Sequence, residues 1–331
     1  MNEDIPHPRD VFAYAGAEAV EQAFISALER GRLHHAWLLV GPEGVGKATF
    51  AYRAARHLLG AASDPARGVL GAGPDDPVCR QIMARAHPDL MVLQRDLEDG
   101  KTRRGISVDE ARSLPEFFSK SPASAPYRVA IIDAVDDLNV NAANAVLKTL
   151  EEPPARGVLL LVSHAPGGLL ATIRSRCRRL RFAPPDEVSA AAWVADKAGV
   201  DAESAARLLR MARGAPGRAW RLAAAGALDI DQAAQEILRR LPKTDDAAMQ
   251  ALADGFRGPA GQARFDLLFD RLADRVRQEA AAAALTGEGA PRDRWAEVWE
   301  LLVSLPRDVA AVNLDRADAL FTALSRLRAI A

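Results

Sequence analysis

The segment that most limits how this chain can fold is Gly41-Pro42-Glu43-Gly44-Val45-Gly46-Lys47. It lies between an apolar run, Ala36-Trp37-Leu38-Leu39-Val40, and a helical pattern that begins near Ala48. Strand, glycine loop and helix in that order satisfy G-x-x-x-x-G-K. In such a loop, backbone N–H groups and the helix N-terminus cradle phosphates, and the lysine reaches the outer ones. The next residue should be Ser or Thr, whose hydroxyl holds Mg²⁺. Here it is Ala48, which has no side-chain oxygen. Thr49 follows, but one helical step turns a side chain by about 100°, so its hydroxyl points elsewhere. Gly41, Gly44, Gly46 and Lys47 are therefore candidate nucleotide-binding residues in a site without its metal ligand.

From about 20 to 182, short apolar runs alternate with helical patterns. The candidate strands are 36–40, 90–93, 129–132, 158–162 and 178–182. Buried parallel strands read as such near-continuous apolar runs, so the pattern predicts an α/β domain with a parallel sheet and helices on both faces. Residues 60–78, rich in Gly, Pro, Ala and Asp, read as a loop or insertion. Ala183-Pro184-Pro185-Asp186 marks a boundary, with Asp186 placed to cap a helix. Beyond it the pattern is helical. One helix over 186–198 stops at Gly199, a second capped by Asp201 ends at Gly214-Ala215-Pro216-Gly217, and a third starts near Arg218. Four or five amphipathic segments follow from about 229, broken at Pro242, Gly258-Pro259, 287–291 and Pro306. The predicted domains are 1–182, a small helical domain at 183–226, and a helical bundle at 227–331.

With 331 residues and 49% apolar content the chain is globular and can bury a sizeable core. A net charge of −1 argues against strong affinity of its own for DNA or anionic membranes. The two cysteines, Cys79 and Cys177, are far apart and build neither a disulfide framework nor a four-cysteine zinc site. His34, His35, His87 and His164 have no metal-ligand spacing. No apolar signal segment or membrane-length run is present, so a soluble, cytoplasmic protein is expected.

A second motif runs Arg128-Val129-Ala130-Ile131-Ile132-Asp133, a strand ending in an acid. In phosphate-loop proteins this acid sits beside the phosphates and orients Mg²⁺, which makes Asp133 a candidate site residue. ATPases of the AAA+ type follow it with a glutamate that polarises water, and here that position is Ala134. Alanine at both 48 and 134 argues that hydrolysis is abandoned. The surviving loop and Lys47 leave two readings open, retained ATP or ADP binding and a purely structural tight turn. A third segment, Leu169-Leu170-Ala171-Thr172-Ile173-Arg174-Ser175-Arg176-Cys177, ends just before the last strand. An arginine beside a subunit boundary can act in trans on a neighbour's phosphate; the alternative is a solvated basic stretch running to Arg181.

These segments resemble the clamp-loader subunits of bacterial DNA polymerase III, in the AAA+ superfamily. The resemblance is carried by Leu33-His34-His35-Ala36, His87-Pro88-Asp89-Leu90, Ile106-Ser107-Val108-Asp109, Leu138-Asn139 and Ala142-Ala143-Asn144-Ala145-Val146-Leu147-Lys148-Thr149-Leu150-Glu151-Glu152-Pro153-Pro154, and by Ser175-Arg176-Cys177. It covers about 30–182; beyond that only the helical layout agrees. It implies an AAA+ P-loop domain, a helical lid domain, and a C-terminal helical collar that holds a ring together. The lost catalytic positions resemble the delta' branch rather than the gamma/tau motor branch. That branch implies a rigid, non-hydrolysing stator in a hetero-oligomeric ring with delta and gamma/tau, which places the sliding clamp on primer-template DNA, with no membrane partner. Arg176 would be the arginine finger for the adjacent motor subunit.

The chain departs from this family at three points. A four-cysteine zinc module is common there, but only Cys79 stands in that region, so no zinc is expected. The sensor-2 arginine position falls on Gly217, with Arg218 one step late. The sensor-1 position is Ser163 or His164, where a capped strand end is also an adequate reading. On the helix from 140 to 152, apolar residues at 140, 143, 146, 147 and 150 mark a buried face. Glu151 and Glu152 sit unfavourably at its C-terminus, which calls for an arginine partner for one of them; solvated acids are the alternative. Trp295 and Trp299 share a helix face suited to a core or interface. Lys148 is a candidate DNA-phosphate contact or a solvated lysine. The competing readings are a true ATPase using Thr49 for its metal, opposed by Ala48 and Ala134, and a stand-alone DNA-binding protein, opposed by the neutral charge.

Overall fold

The computed structural model describes residues 5–13, 16, 18–95, 97–98, 101–102, 105–257, 261–286, 292–312 and 314–330. Along the chain, α1 (Glu18–Glu29) leads into β1 (Ala36–Val40), and α2 (Lys47–Leu58) follows the glycine loop. Next come α3 (Pro77–Met83), β2 (Leu90–Gln94), a short antiparallel pair β3 (Leu97–Glu98) and β4 (Lys101–Thr102), and α4 (Val108–Ser119). Then β5 (Arg128–Asp133), α5 (Val140–Glu151), β6 (Gly157–Ser163), α6 (Ala171–Arg176) and β7 (Arg178–Arg181) follow. All five expected strands form one parallel sheet in the order β2-β5-β6-β1-β7.

Successive side chains of a strand point to opposite faces, and β1 fills both. Trp37 and Leu39 pack with Phe24 of α1 and Phe50 of α2. Ala36, Leu38 and Val40 face Leu114 of α4, Val146 of α5 and Ile173 of α6. At the sheet edge, β7 buries only Leu180; Arg178, Arg179 and Arg181 are exposed. Charged side chains of this kind guard an edge strand against pairing with other chains.

The motif residues of the α/β part are also local fasteners. Ser107 and Glu110 form a reciprocal capping box at the start of α4, and Asn139 caps α5 by accepting from the Ala142 N–H. Asp89 is fully buried. It accepts hydrogen bonds from the backbone N–H groups of Ala123, Ser124 and Ala125 at 2.8–3.1 Å and pairs with Arg128 at 3.2 Å. Burial alone would raise its pKa, but the three amides and the Arg128 charge outweigh burial and hold it below the usual carboxylate range. The loop 60–78 is tied down by a buried ion pair. Arg53 meets Glu21 at 2.6 Å and donates to the Arg67 carbonyl, while Glu21 accepts from the Leu70 N–H.

Two expectations are corrected. Val140 is 69% exposed, and the buried face of α5 is Ala142, Ala143, Val146, Thr149 and Leu150. Val140 is the first helical residue, and side chains there lean back past the helix start, away from the packed turns. Pro306 lies inside α13 and does not end it. A proline removes one helical hydrogen bond, and Leu302 and Val309, buried on either side of it, hold the helix through that loss.

After the sheet come α7 (Glu187–Ala198), α8 (Ala202–Met211), α9 (Pro216–Ala224), α10 (Ala227–Arg240), α11 (Asp246–Asp254), α12 (Gly261–Thr286), α13 (Arg292–Val312) and α14 (Arg316–Arg328). Asp186 and Asp201 cap α7 and α8 as expected, and Pro242 lies in a single 3-10 turn. The breaks at 258–259 and 287–291 lie outside the described residues. The chain divides into two compact units, Met1–Lys197 with Leu209–Ala219, and Ala198–Leu208 with Trp220–Ala331. The second unit is a helical bundle around Phe265, Phe269, Leu272, Leu302, Leu320 and Leu324. In it Asp231 joins α10 to α12 through Arg275 at 2.6 Å. Trp295 is partly buried against the bundle core, and Trp299 is 41% exposed. Among the described residues no helix is long and apolar enough to cross a membrane.

Because the folded-state pKa of Asp89 is depressed, its contribution to stability is full above the ordinary carboxylate pKa, about 3.9, and is lost as pH falls through the folded value. Asp89→Ala leaves Arg128 without its carboxylate. Denaturant unfolding at pH 7 should show a loss of about 3–5 kcal/mol, and the gap to the parent chain should narrow below pH ~4.

Candidate functional site

The glycine loop joins β1 to α2, with Gly46 (φ 91°) as the residue before the helix. Gly44 has φ 85°, a left-handed conformation that favours glycine. The loop is packed from outside by residues 217 and 218. The Gly217 N–H donates to the Gly44 carbonyl at 2.9 Å. A Cβ on Gly44 would overlap the Arg218 backbone nitrogen, and a Cβ on Gly217 would lie 2.8 Å from the Gly44 oxygen. The sensor-2 position therefore holds a residue whose lack of a side chain lets two backbones touch. Gly41 is fixed in the same way, since a Cβ there would overlap the Phe182 carbonyl. Lys47 is 3% exposed, and its ammonium donates to the Gly41 and Pro42 carbonyls at 2.5 Å each. The lysine thus braces its own loop.

Asp133 is the last residue of β5, and β6 separates that strand from β1. Asp133 and Lys47 therefore rise from the carboxyl-terminal edge of one sheet. Ala134 is 2% exposed, so a glutamate in its place would have to enter packed interior. Asp136 has a role that the sequence reading missed. It accepts from the Ser163 hydroxyl at 3.0 Å and from the His164 and Ala165 N–H groups at 2.7 and 3.1 Å. The sensor-1 position is thus a capped strand end. The available signals were an acid three residues past Asp133 and a polar residue ending the next strand. Asp137 pairs with Arg95 at 2.9 Å. Partial burial lowers the His164 pKa, and the Lys47 ammonium lowers it further against the opposing charges of Glu43, Asp136 and Asp137. The phosphate loop and the end of β6 therefore share one electrostatic neighbourhood.

Arg176 stands apart from this group. It is the last residue of α6, two residues before β7. In the parallel register Arg178 pairs beside Trp37, whereas the glycine loop begins after Val40. Arg176 and the loop therefore lie at opposite ends of the sheet, about the length of a five-residue strand, ~16 Å, apart. Its guanidinium pairs with Glu151 at 2.9 Å and donates to the Thr172 carbonyl at 3.1 Å. The acid at the end of α5 has the arginine partner its position called for. Arg174 is used differently, donating to the Pro166 and Gly167 carbonyls at 3.2 Å each.

The two thiols are packing groups. Cys79 is buried in α3, and burial pushes its pKa up to about 11; burial pushes that of Cys177 up to about 12. Among the described residues no group of three or more His, Cys, Asp or Glu side chains is arranged to hold a metal ion.

The family model described as DNA polymerase III, delta subunit, matches residues 16–186. A DNA polymerase III subunit delta' of Pseudomonas aeruginosa is 34% identical over 256 residues, which is 77% of this chain and 74% of that protein. The Escherichia coli subunit delta' is 30% identical over 274 residues, 82% of this chain and 78% of its own length. The Escherichia coli subunit tau is 35% identical over 173 residues, but these cover 51% of this chain and 25% of that protein.

Supplying a hydroxyl and a carboxylate together, Ala48→Thr with Ala134→Glu, should leave ATP hydrolysis at background in a phosphate-release assay. Lys47 would still brace its own loop, and Gly217 would still supply no side chain. Turnover above background by the double variant would show that those two positions alone had silenced the site.

Proposed function

The chain belongs to the delta' family of DNA polymerase III subunits, clamp-loader components that work with gamma/tau, and we propose that it is the non-hydrolysing stator of that assembly. In this reading it occupies a fixed place in a ring with delta and gamma/tau subunits and gives Arg176 to the ATP site of its motor neighbour. The observation that carries the reading is the placement of Arg176. It lies at the end of the sheet opposite its own glycine loop, so it can serve only a phosphate bound by another chain.

The state of the chain's own loop supports the same reading. Ala48 and Ala134 remove the metal ligand and the water-polarising group, and Gly217 stands without a side chain where the resemblance places the sensor-2 arginine, Arg218 being one step further along α9. Lys47 and the three glycines act as a rigid turn, Asp133 lies apart from them at the end of β5, and the role requires neither bound ATP nor zinc. The sliding clamp and primer-template DNA are reached through the assembly, as befits a chain of net charge −1. The helical bundle supplies the collar contacts, and the work is cytoplasmic. The motor-subunit alternative has less support, because the tau similarity spans only half of this chain.

The test is a loader reconstituted with Arg176→Ala. Assembly should persist on gel filtration, while DNA-stimulated hydrolysis at the neighbouring site falls on the order of 10³-fold. Unchanged hydrolysis at that site would defeat the assignment. The purified chain alone should show no turnover.

A further inference from the structure

We propose that Glu151 is a positioning residue for Arg176, holding the guanidinium in the orientation from which it enters the neighbour's phosphate site. The inference rests on the reading of Arg176 as the residue given in trans.

Arg176 ends a helix of six residues, so the backbone does little to restrict its long side chain. Two acceptors do so instead, the Glu151 carboxylate on one terminal nitrogen and the Thr172 carbonyl on the other. A guanidinium has five N–H donors in a planar fork. With two engaged, the remaining edge is free to meet phosphate oxygens, and the side chain stays 36% exposed. The holder is itself fixed. Glu151 ends α5, whose Val146 and Leu150 are buried against the sheet.

Folding stability does not account for Glu151. An acid at a helix C-terminus opposes the helix dipole. The pair is half-exposed, at 36% and 51%, and pairs of that kind add little to stability. Arg174 does not compete for the carboxylate, because its own hydrogen bonds run to the loop before α6. What the pair does supply is orientation, which lowers the ordering cost of placing the arginine in the transition state.

The experiment is a double-mutant cycle in the reconstituted loader, with the parent chain, Glu151→Ala, Arg176→Ala and the double variant, reading kcat and KM for DNA-stimulated ATP hydrolysis. Glu151→Ala should lower kcat about two- to fivefold, the size expected of an exposed ion pair, with KM for ATP nearly unchanged. In the Arg176→Ala background the same substitution should have no further effect. Glu151→Gln, which keeps an acceptor, should recover part of the loss, and all variants should melt with the parent chain. A Glu151→Ala loss that persists in full without Arg176 overturns the proposal, as does full activity of Glu151→Ala in a loader that Arg176→Ala impairs. If Arg176→Ala itself changes nothing, the in-trans assignment fails and the positioning role falls with it.

Discussion

A parallel sheet has two unlike ends, and the separation between them governs everything else in the α/β unit. With Trp37 beside Arg178 and Ala36 beside Leu159, segments that follow strands collect at one end and segments that precede them at the other. Gly41 to Lys47 follow a strand, and Asp133 and Ser163 end theirs. Arg176 precedes one. No local rearrangement of side chains can bring the two sets together, because that would require reversing a strand buried on both faces. The separation of the phosphate loop from Arg176 is thus a property of topology.

At the loop end, the side chains hold one another in place. The Gly44 and Gly217 backbones meet directly, Lys47 is drawn onto two carbonyls, and Asp136 secures the end of β6. Each of these contacts favours one conformation of the loop end of the sheet. The same economy is visible in the motif His87-Pro88-Asp89-Leu90. Its aspartate satisfies three backbone amides and an arginine in a fully buried position.

Much of the fold was legible because its signals are local. The glycine loop and the apolar runs at 36–40, 129–132 and 158–162 depend on neighbouring residues alone, and the caps at Asp186 and Asp201 do as well. What was not legible depends on contacts across space. Pro306 stays helical because Leu302 and Val309 are buried around it, which no window of sequence reveals. Val140 fits the helical period, but the first turn carries it past the packed surface. The task of Asp136 is defined by the end of a strand 27 residues later. The Glu151 site falls between these cases. The conflict with the helix dipole showed that a partner was needed, and only the fold showed that the partner is Arg176.

Cys177 follows Arg176 directly, and burial holds its thiol up to about 12. At neutral pH almost none of it is thiolate, the form that oxidants and electrophiles attack. An exposed cysteine of ordinary acidity in its place would be open to glutathionylation or alkylation beside the Arg176–Glu151 pair. Half-buried against the core beneath α5 and α6, the thiol is a poorer target for oxidants and electrophiles than such a cysteine would be, and the chain next to Arg176 is chemically quieter for it.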